Sequence, residues 1–227
     1  MSRHLRICAL ILAIAIAPAL AACGGSGETP SGSATTATAT TAGEPELGPA
    51  FGSMDDLPGV LTTSPPWPNN VERLQQRLRA IGLPALKAEG EVVHTHQHVD
   101  LFVDGERVPV PADIGIAGDG TFISSLHTHA PQPGEPPDGI MHVESPTQTS
   151  YTLGQFFAVW GVRLDATCVG ARCEGGGKRL RAWVNGKPFT ADPTRLVLEQ
   201  HQQIVIAYGT AAQMPEKIPS SYDFGNL

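Results

Sequence analysis

Residues 91–103 read EVVHTHQHVDLFV. Val93, Val99, Leu101 and Val103 occupy one parity; His94, His96, His98 and Asp100 occupy the other. Side chains alternate across a strand with period two. The segment therefore reads as one long, half-buried strand. Its apolar parity faces a core, and its three histidines and Asp100 share the opposite face.

The segments around it follow the same logic. Asp104-Gly105 turns the chain back into ERVPV (106–110), and Asn185-Gly186 joins LRAWV (180–184) to KPF (187–189); both dipeptides suit tight hairpins. FISSLHTH (122–129), GIMHVES (139–145), RLVL (195–198) and QQIVIAYG (202–209) read as further strands. Two short helices interrupt them. In VERLQQRLRAIG (71–82), Asn70 is the expected cap and Gly82 the stop, with Val71, Leu74, Leu78 and Ile81 on one face and Arg73, Arg77 and Arg79 mostly on the solvated side. In TLGQFFAVWG (152–161), Thr152 and Gln155 have capping-box spacing. The expected fold class is α+β, mainly β: a single antiparallel-rich domain with two short helices, spanning residues 67–227 and preceded by a signal peptide and a tether. The tail after Gly209 is expected to lie over the surface.

The N-terminus is of a different kind. MSRHLRICALILAIAIAPALAAC has basic residues, then an apolar run from Ile7 to Ala22. That is the pattern of a secretory signal (1–22), and the run is short for a membrane span, which needs about 20 residues. Leu20-Ala21-Ala22-Cys23 resembles a bacterial lipobox. The resemblance implies lipidation of Cys23 (palmitate among the acyl groups) and anchoring of an extracytoplasmic lipoprotein at the cell membrane. Two or three acyl chains hold such a protein there, at about 0.8 kcal/mol per buried CH₂. Residues 23–66, the lipidated cysteine and a Gly/Ser/Thr/Pro-rich stretch, read as a disordered tether reaching roughly 35–40 Å.

Loss of residues 1–22 leaves 13 basic and 22 acidic residues, a net charge of −9. That balance argues against nucleic acid as a partner. The expected partners are the membrane, through the lipid, and an envelope protein. Cys168 and Cys173, in CVGARC, are expected to form a disulfide in an oxidising compartment. The spacing is not the C-x-x-C of a thiolate metal site.

Seven histidines follow residue 22, and six of them fall between His94 and His142. His127 and His129 share one face of their strand, and His142 and Glu144 share one face of theirs. Neutral imidazole is the commonest protein ligand for zinc and copper. The candidate metal residues are His94, His96, His98, His127, His129, His142 and Glu144. His94 and His98 would have Cα atoms about 13 Å apart on a regular strand. Two of the three β-strand histidines are therefore expected to ligate one ion, or two ions bind. Met141 points to the core, and His201 lies apart.

HTHQHVDLFVDGERVPVPADIGI, LHTH, DGIMHVES, YTLGQFFAVWG and VNGKPF with IVIAYG resemble a family of uncharacterised extracytoplasmic bacterial and archaeal domains. That family carries an H-x-H-x-H strand, an LHTHD-like motif and an IHVE motif. The resemblance covers about residues 91–209 and implies that the six histidines and Glu144 form its signature. It implies no particular activity. One departure is that Ala130 and PQPGEPP (131–137) separate His129 from Asp138. Asp138 is then the displaced equivalent of the family aspartate, or that role is lost.

The chain has no G-x-S-x-G elbow, no H-E-x-x-H helix and no C-x-x-C pair, and GGGK (175–178) is not a phosphate loop. The reading that follows is a lipoprotein that binds a transition metal, copper or zinc, for sensing, buffering or delivery, with catalysis left open. Two alternatives stay open: a metal-free envelope interaction module, and a His/Glu metalloenzyme of cupin-like site type.

Overall fold

The computed structural model describes residues 43–130 and 137–227. The expected signal peptide, Cys23 and the first part of the tether lie outside the described residues. The fold is mainly β with two α-helices. In chain order the elements are α1 (Leu74–Ala80), β1 (Val93–Val103), β2 (Glu106–Val108), β3 (Leu126–His127), β4 (Ile140–Ser145), α2 (Leu153–Trp160), β5 (Cys168–Val169), β6 (Arg172–Cys173), β7 (Arg179–Val184), β8 (Lys187–Phe189) and β9 (Gln203–Gly209).

One sheet has the order β3-β4-β1-β9-β7-β8, with β2 paired to β1 as well. Its pairs are antiparallel except β1–β9, which is parallel. β1 is long enough to serve two neighbours along one edge. Val93–His98 pair with β4, and Leu101–Val103 pair with β2. Alternation then divides the faces. Val99, Leu101 and Val103 of β1, Leu126 of β3, Met141 and Val143 of β4, and Ile204 and Ile206 of β9 belong to one buried core with Phe156, Phe157 and Trp160 of α2. The histidines are left on the other face.

Both hairpin turns form where expected. Asp104 and Gly105 have φ of 56° and 93°, and Asn185 and Gly186 have 51° and 77°; two successive positive φ values match the twist of the flanking strands. Thr152 and Gln155 make the reciprocal capping box at α2. Cys168 and Cys173 are opposite one another on β5 and β6 and are disulfide-bonded.

Four expectations are corrected. First, the folded body begins before Trp67. Residues from Gly43 onward lie on the domain, with bridges Leu47–Leu196 and Leu61–Val162, Met54 in the core and Phe51 packed against it. These few apolar anchors suffice although the stretch is rich in Gly and Pro. Second, Asn70 does not cap α1. Its Nδ2 donates to the carbonyls of Gly59 (2.9 Å) and Gly161 (3.0 Å), and the helix starts only at Leu74.

Third, Arg77 is fully buried instead of solvated. Its guanidinium donates to the carbonyls of Ala158 (3.0 Å), Val159 (3.1 Å) and Pro58 (3.3 Å), and to that of Asn70. The last carbonyls of a helix have no intrahelical partner, and Arg77 supplies one for the end of α2. Burial pushes its pKa down to about 10, so it stays charged at neutral pH. Fourth, RLVL is not a strand. It leaves a short 3-10 turn at Pro193–Arg195 and makes only single bridges, Leu196 to Leu47 and Val197 to Thr152. Among the described residues, no helix is long and apolar enough to cross a membrane.

Candidate metal centre

The site is made by register. His96 of β1 stands directly opposite His142 of β4, and His142 stands opposite His127 of β3. Three imidazoles thus lie in one row across three neighbouring strands. In the next row His94 is opposite Glu144. Side chains directly opposed on one face have Cβ atoms about 4.5–5.5 Å apart, so the row brings ring against ring. Ring centroids are 4.7 Å apart for His96–His142, 5.2 Å for His127–His142, 4.9 Å for His129–His142 and 4.7 Å for His127–His129.

Glu144 Oε1 is the common neighbour of these rings. It lies 3.1 Å from His142 Nδ1, 3.3 Å from His94 Nε2 and 3.8 Å from His127 Nε2. His94 Nε2 lies 3.2 Å from His96 Nε2. Four ligands at 2.0–2.1 Å from a tetrahedral ion are separated by about 3.3–3.4 Å. Three of the observed spacings are close to that edge length. His94, His96, His142 and Glu144 offer donor atoms within 4.8 Å of one another, as do His127, His129 and His142. A buried His/Glu group that could hold a metal is therefore present.

His127 is the buried floor of the site. β3 is short and is held from behind by the 111–117 loop: Thr128 N donates to Ile114 O (3.1 Å), and Ser124 N donates to Gly115 O (2.8 Å). Gly115 has φ +77°, and a Cβ there would lie 2.2 Å from Leu126 O. Only glycine lets the loop come this close. His127 Nδ1 is 3.0 Å from Ser124 O. A carbonyl only accepts, so Nδ1 carries the proton and Nε2 holds the free lone pair. That Nε2 is buried, aimed at Glu144, and has no hydrogen-bond partner among the described residues.

The electrostatics suit neutral imidazole beside an ionised carboxylate. Burial, then the His129 and His142 rings, push His127 down to about 3. Burial, then His142 and His94, push His96 down to about 4. For Glu144, burial works upward, but the His142 hydrogen bond and the fields of His127 and His94 outweigh it, and its pKa falls to about 2.

The third histidine of the motif is elsewhere. His98 is buried, with Nδ1 2.8 Å from Gln203 Oε1 and Nε2 2.8 Å from Asp138 O. Both ring nitrogens face oxygens, so neither turns toward the cluster. Asp138 also stays out: its carboxylate accepts from Ile140 N at 3.0 Å. The 131–136 part of the inserted loop lies outside the described residues. His201 belongs to none of the donor sets: its Nε2 is 3.0 Å from Leu227 O and its ring stacks on Phe224, while its backbone N–H donates to His96 O at 2.7 Å.

Sequence reasoning missed Glu89. Its Oε1 lies 3.2 Å from His129 Nε2 and 3.8 Å from His127 Nε2. With His127 and Glu144 it forms a third set of donors within 4.8 Å. It sits in a loop with no periodicity, so no local signal marks it. Comparison with protein-family models, curated proteins and solved structures yields no match.

Proposed function

We propose that this chain is an extracytoplasmic lipoprotein, anchored through Cys23, that binds a transition metal at the His/Glu cluster for sensing, buffering or delivery. Copper and zinc both suit imidazole and carboxylate donors. The observation that carries the reading is the Nε2 of His127. It is buried, its tautomer is set by Ser124 O, and its lone pair has no partner among the described residues. A buried polar atom left unpaired costs about 1–3 kcal/mol. A metal ion would satisfy it, and the Ser124 carbonyl would then orient the ligand as outer-shell partners do. This weighs against a metal-free interaction module. The anchor rests on the Leu20–Cys23 pattern, and the Cys168–Cys173 disulfide suits an oxidising compartment.

Ions would enter from solvent. His94, Glu89 and His129 have side chains 53%, 50% and 38% exposed, above a floor of buried His127, His96 and Glu144. The test is metal content and isothermal titration with zinc and copper on the full chain, purified without a polyhistidine tag and stripped with chelator. Tight binding that is lost in a His96→Ala/His127→Ala variant supports the reading; absence of binding by the unmodified chain overturns it. Membrane anchoring is tested separately by Cys23→Ser, which should release the protein from the membrane fraction.

A further inference from the structure

We infer that the cluster is a two-ion centre in which Glu144 is the shared carboxylate and Glu89 completes the second site. This deepens the metal-binding reading and rests on it. The first argument is the number of donors. Among the described residues, seven side chains converge: His94, His96, His127, His129, His142, Glu89 and Glu144. A four-coordinate ion uses only four of them.

The second argument is how they divide. His94, His96, His142 and Glu144 form one set of mutually close donors, on β1 and β4. Glu89, His127 and Glu144 form another, with His129 Nε2 3.2 Å from Glu89 Oε1 as its neighbour; His142, which also lies close to His127 and His129, stands with Glu144 at the junction. The one oxygen Glu144 Oε1 lies between the sets, 3.3 Å from His94 Nε2 on one side and 3.8 Å from His127 Nε2 on the other. A carboxylate placed so can bridge two ions at the roughly 3.5–4 Å separation of known two-metal sites. The third argument is His127 itself. Its fully buried Nε2, without a hydrogen-bond partner among the described residues, points to the Glu89 side as well as to Glu144, so a single ion held by the first set leaves it unsatisfied.

Glu89 is held in place by the backbone, not by chance on a loop. The next residue, Gly90, lies so close to the end of β4 that a Cβ on it would be 2.1 Å from Ser145 C and 2.2 Å from Pro146 N. Val92 N donates to Ser145 O at 3.0 Å. The chain is thereby laid across the end of β4, with Glu89 over His127 and His129.

The experiment is zinc stoichiometry of the stripped full chain, by native mass spectrometry and by titration. The expected result is two ions per chain. Glu89→Gln, half-exposed and isosteric, should keep the melting temperature of the stripped protein and bind one ion. Gly90→Ala, which displaces the same loop, should lose the same ion. Glu144→Gln should weaken both. One ion per unmodified chain, or two retained by Glu89→Gln with unchanged affinity, overturns the two-ion centre while leaving metal binding intact. No ion at all overturns both readings.

Discussion

His98 and Tyr222 are stacked nearly parallel, with ring centroids 3.8 Å apart and planes 8° from each other. This contact separates the third histidine of the strand from the two before it. His98 faces Gln203 of β9 and the C-terminal tail, whereas His94 and His96 face Glu144 and His142. One strand face thus serves two purposes, and its changeover falls between His96 and His98.

That division can be measured. His98→Ala should leave the metal stoichiometry unchanged and lower stability by roughly 1–3 kcal/mol, through the partners it deserts. Equilibrium urea unfolding of the stripped protein reads the loss, and zinc titration reads the stoichiometry. Loss of an ion in this variant would contradict the placement of His98.

Glu144→Gln keeps the shape of the side chain and removes its charge. Metal affinity should fall by more than the roughly 10–100-fold cost of deleting an outer-shell partner. Competition against a zinc chelator of known affinity checks this. An affinity within twofold of the unmodified protein would remove Glu144 from the coordination shell.

Stability of the stripped protein should decline on acidification from about pH 6.5. His96 and His127 titrate at 6.5 when unfolded and near 4 and 3 when folded. The unfolded chain therefore binds more protons in that window, and stability rises with pH there. Glu144, at 4.5 unfolded and about 2 folded, acts in the same direction over a lower window. All three contributions are present in full above pH 6.5 and are lost as pH falls through the folded values. Urea midpoints should be level from pH 7.5 to about 6.5 and fall from there to pH 3.5, and His127→Gln should flatten the curve. A midpoint that rises on acidification would contradict the burial of these rings.

Arg77→Met should destabilise the fold by about 1–3 kcal/mol for each carbonyl left without a donor, with Ala158 O and Val159 O the most affected. Arg77→Lys should recover little of this, because an ammonium cannot match the planar fork. Metal stoichiometry should not change, since Arg77 serves α2 and not the sheet face that carries the histidines. Thermal unfolding with parallel zinc titration tests both halves.

The parts of this molecule that were legible from sequence are those set by local periodicity. Alternation in Val93–Val103 gave the two faces of β1, the Asp104-Gly105 and Asn185-Gly186 dipeptides gave the hairpins, and Thr152 with Gln155 gave the start of α2. The site needed more. That His96, His142 and His127 form one row depends on inter-strand register, which no single strand encodes. His98 looked equivalent to His96 because its partners, Gln203 and Tyr222, come from more than 100 residues later. Helix periodicity puts Arg77 outside because it identifies a face but not what later covers it. Residues 43–66 read as tether because averaged composition hides a few well-spaced anchors such as Phe51, Met54 and Leu61.

Strand alternation at β4 also decides which donor atoms the cluster can offer a metal. His142 faces the cluster, so its neighbour Met141 is turned into the core and is fully buried there. The only thioether on that strand is therefore withheld from the ion, and Cys168 and Cys173 are bonded to each other. The donors that remain are imidazole nitrogen and carboxylate oxygen. Soft sulfur ligands are what select cuprous copper, and this donor set lacks them. If copper is the cargo, the cluster discriminates in favour of the cupric ion, and reduction of the metal would weaken its hold.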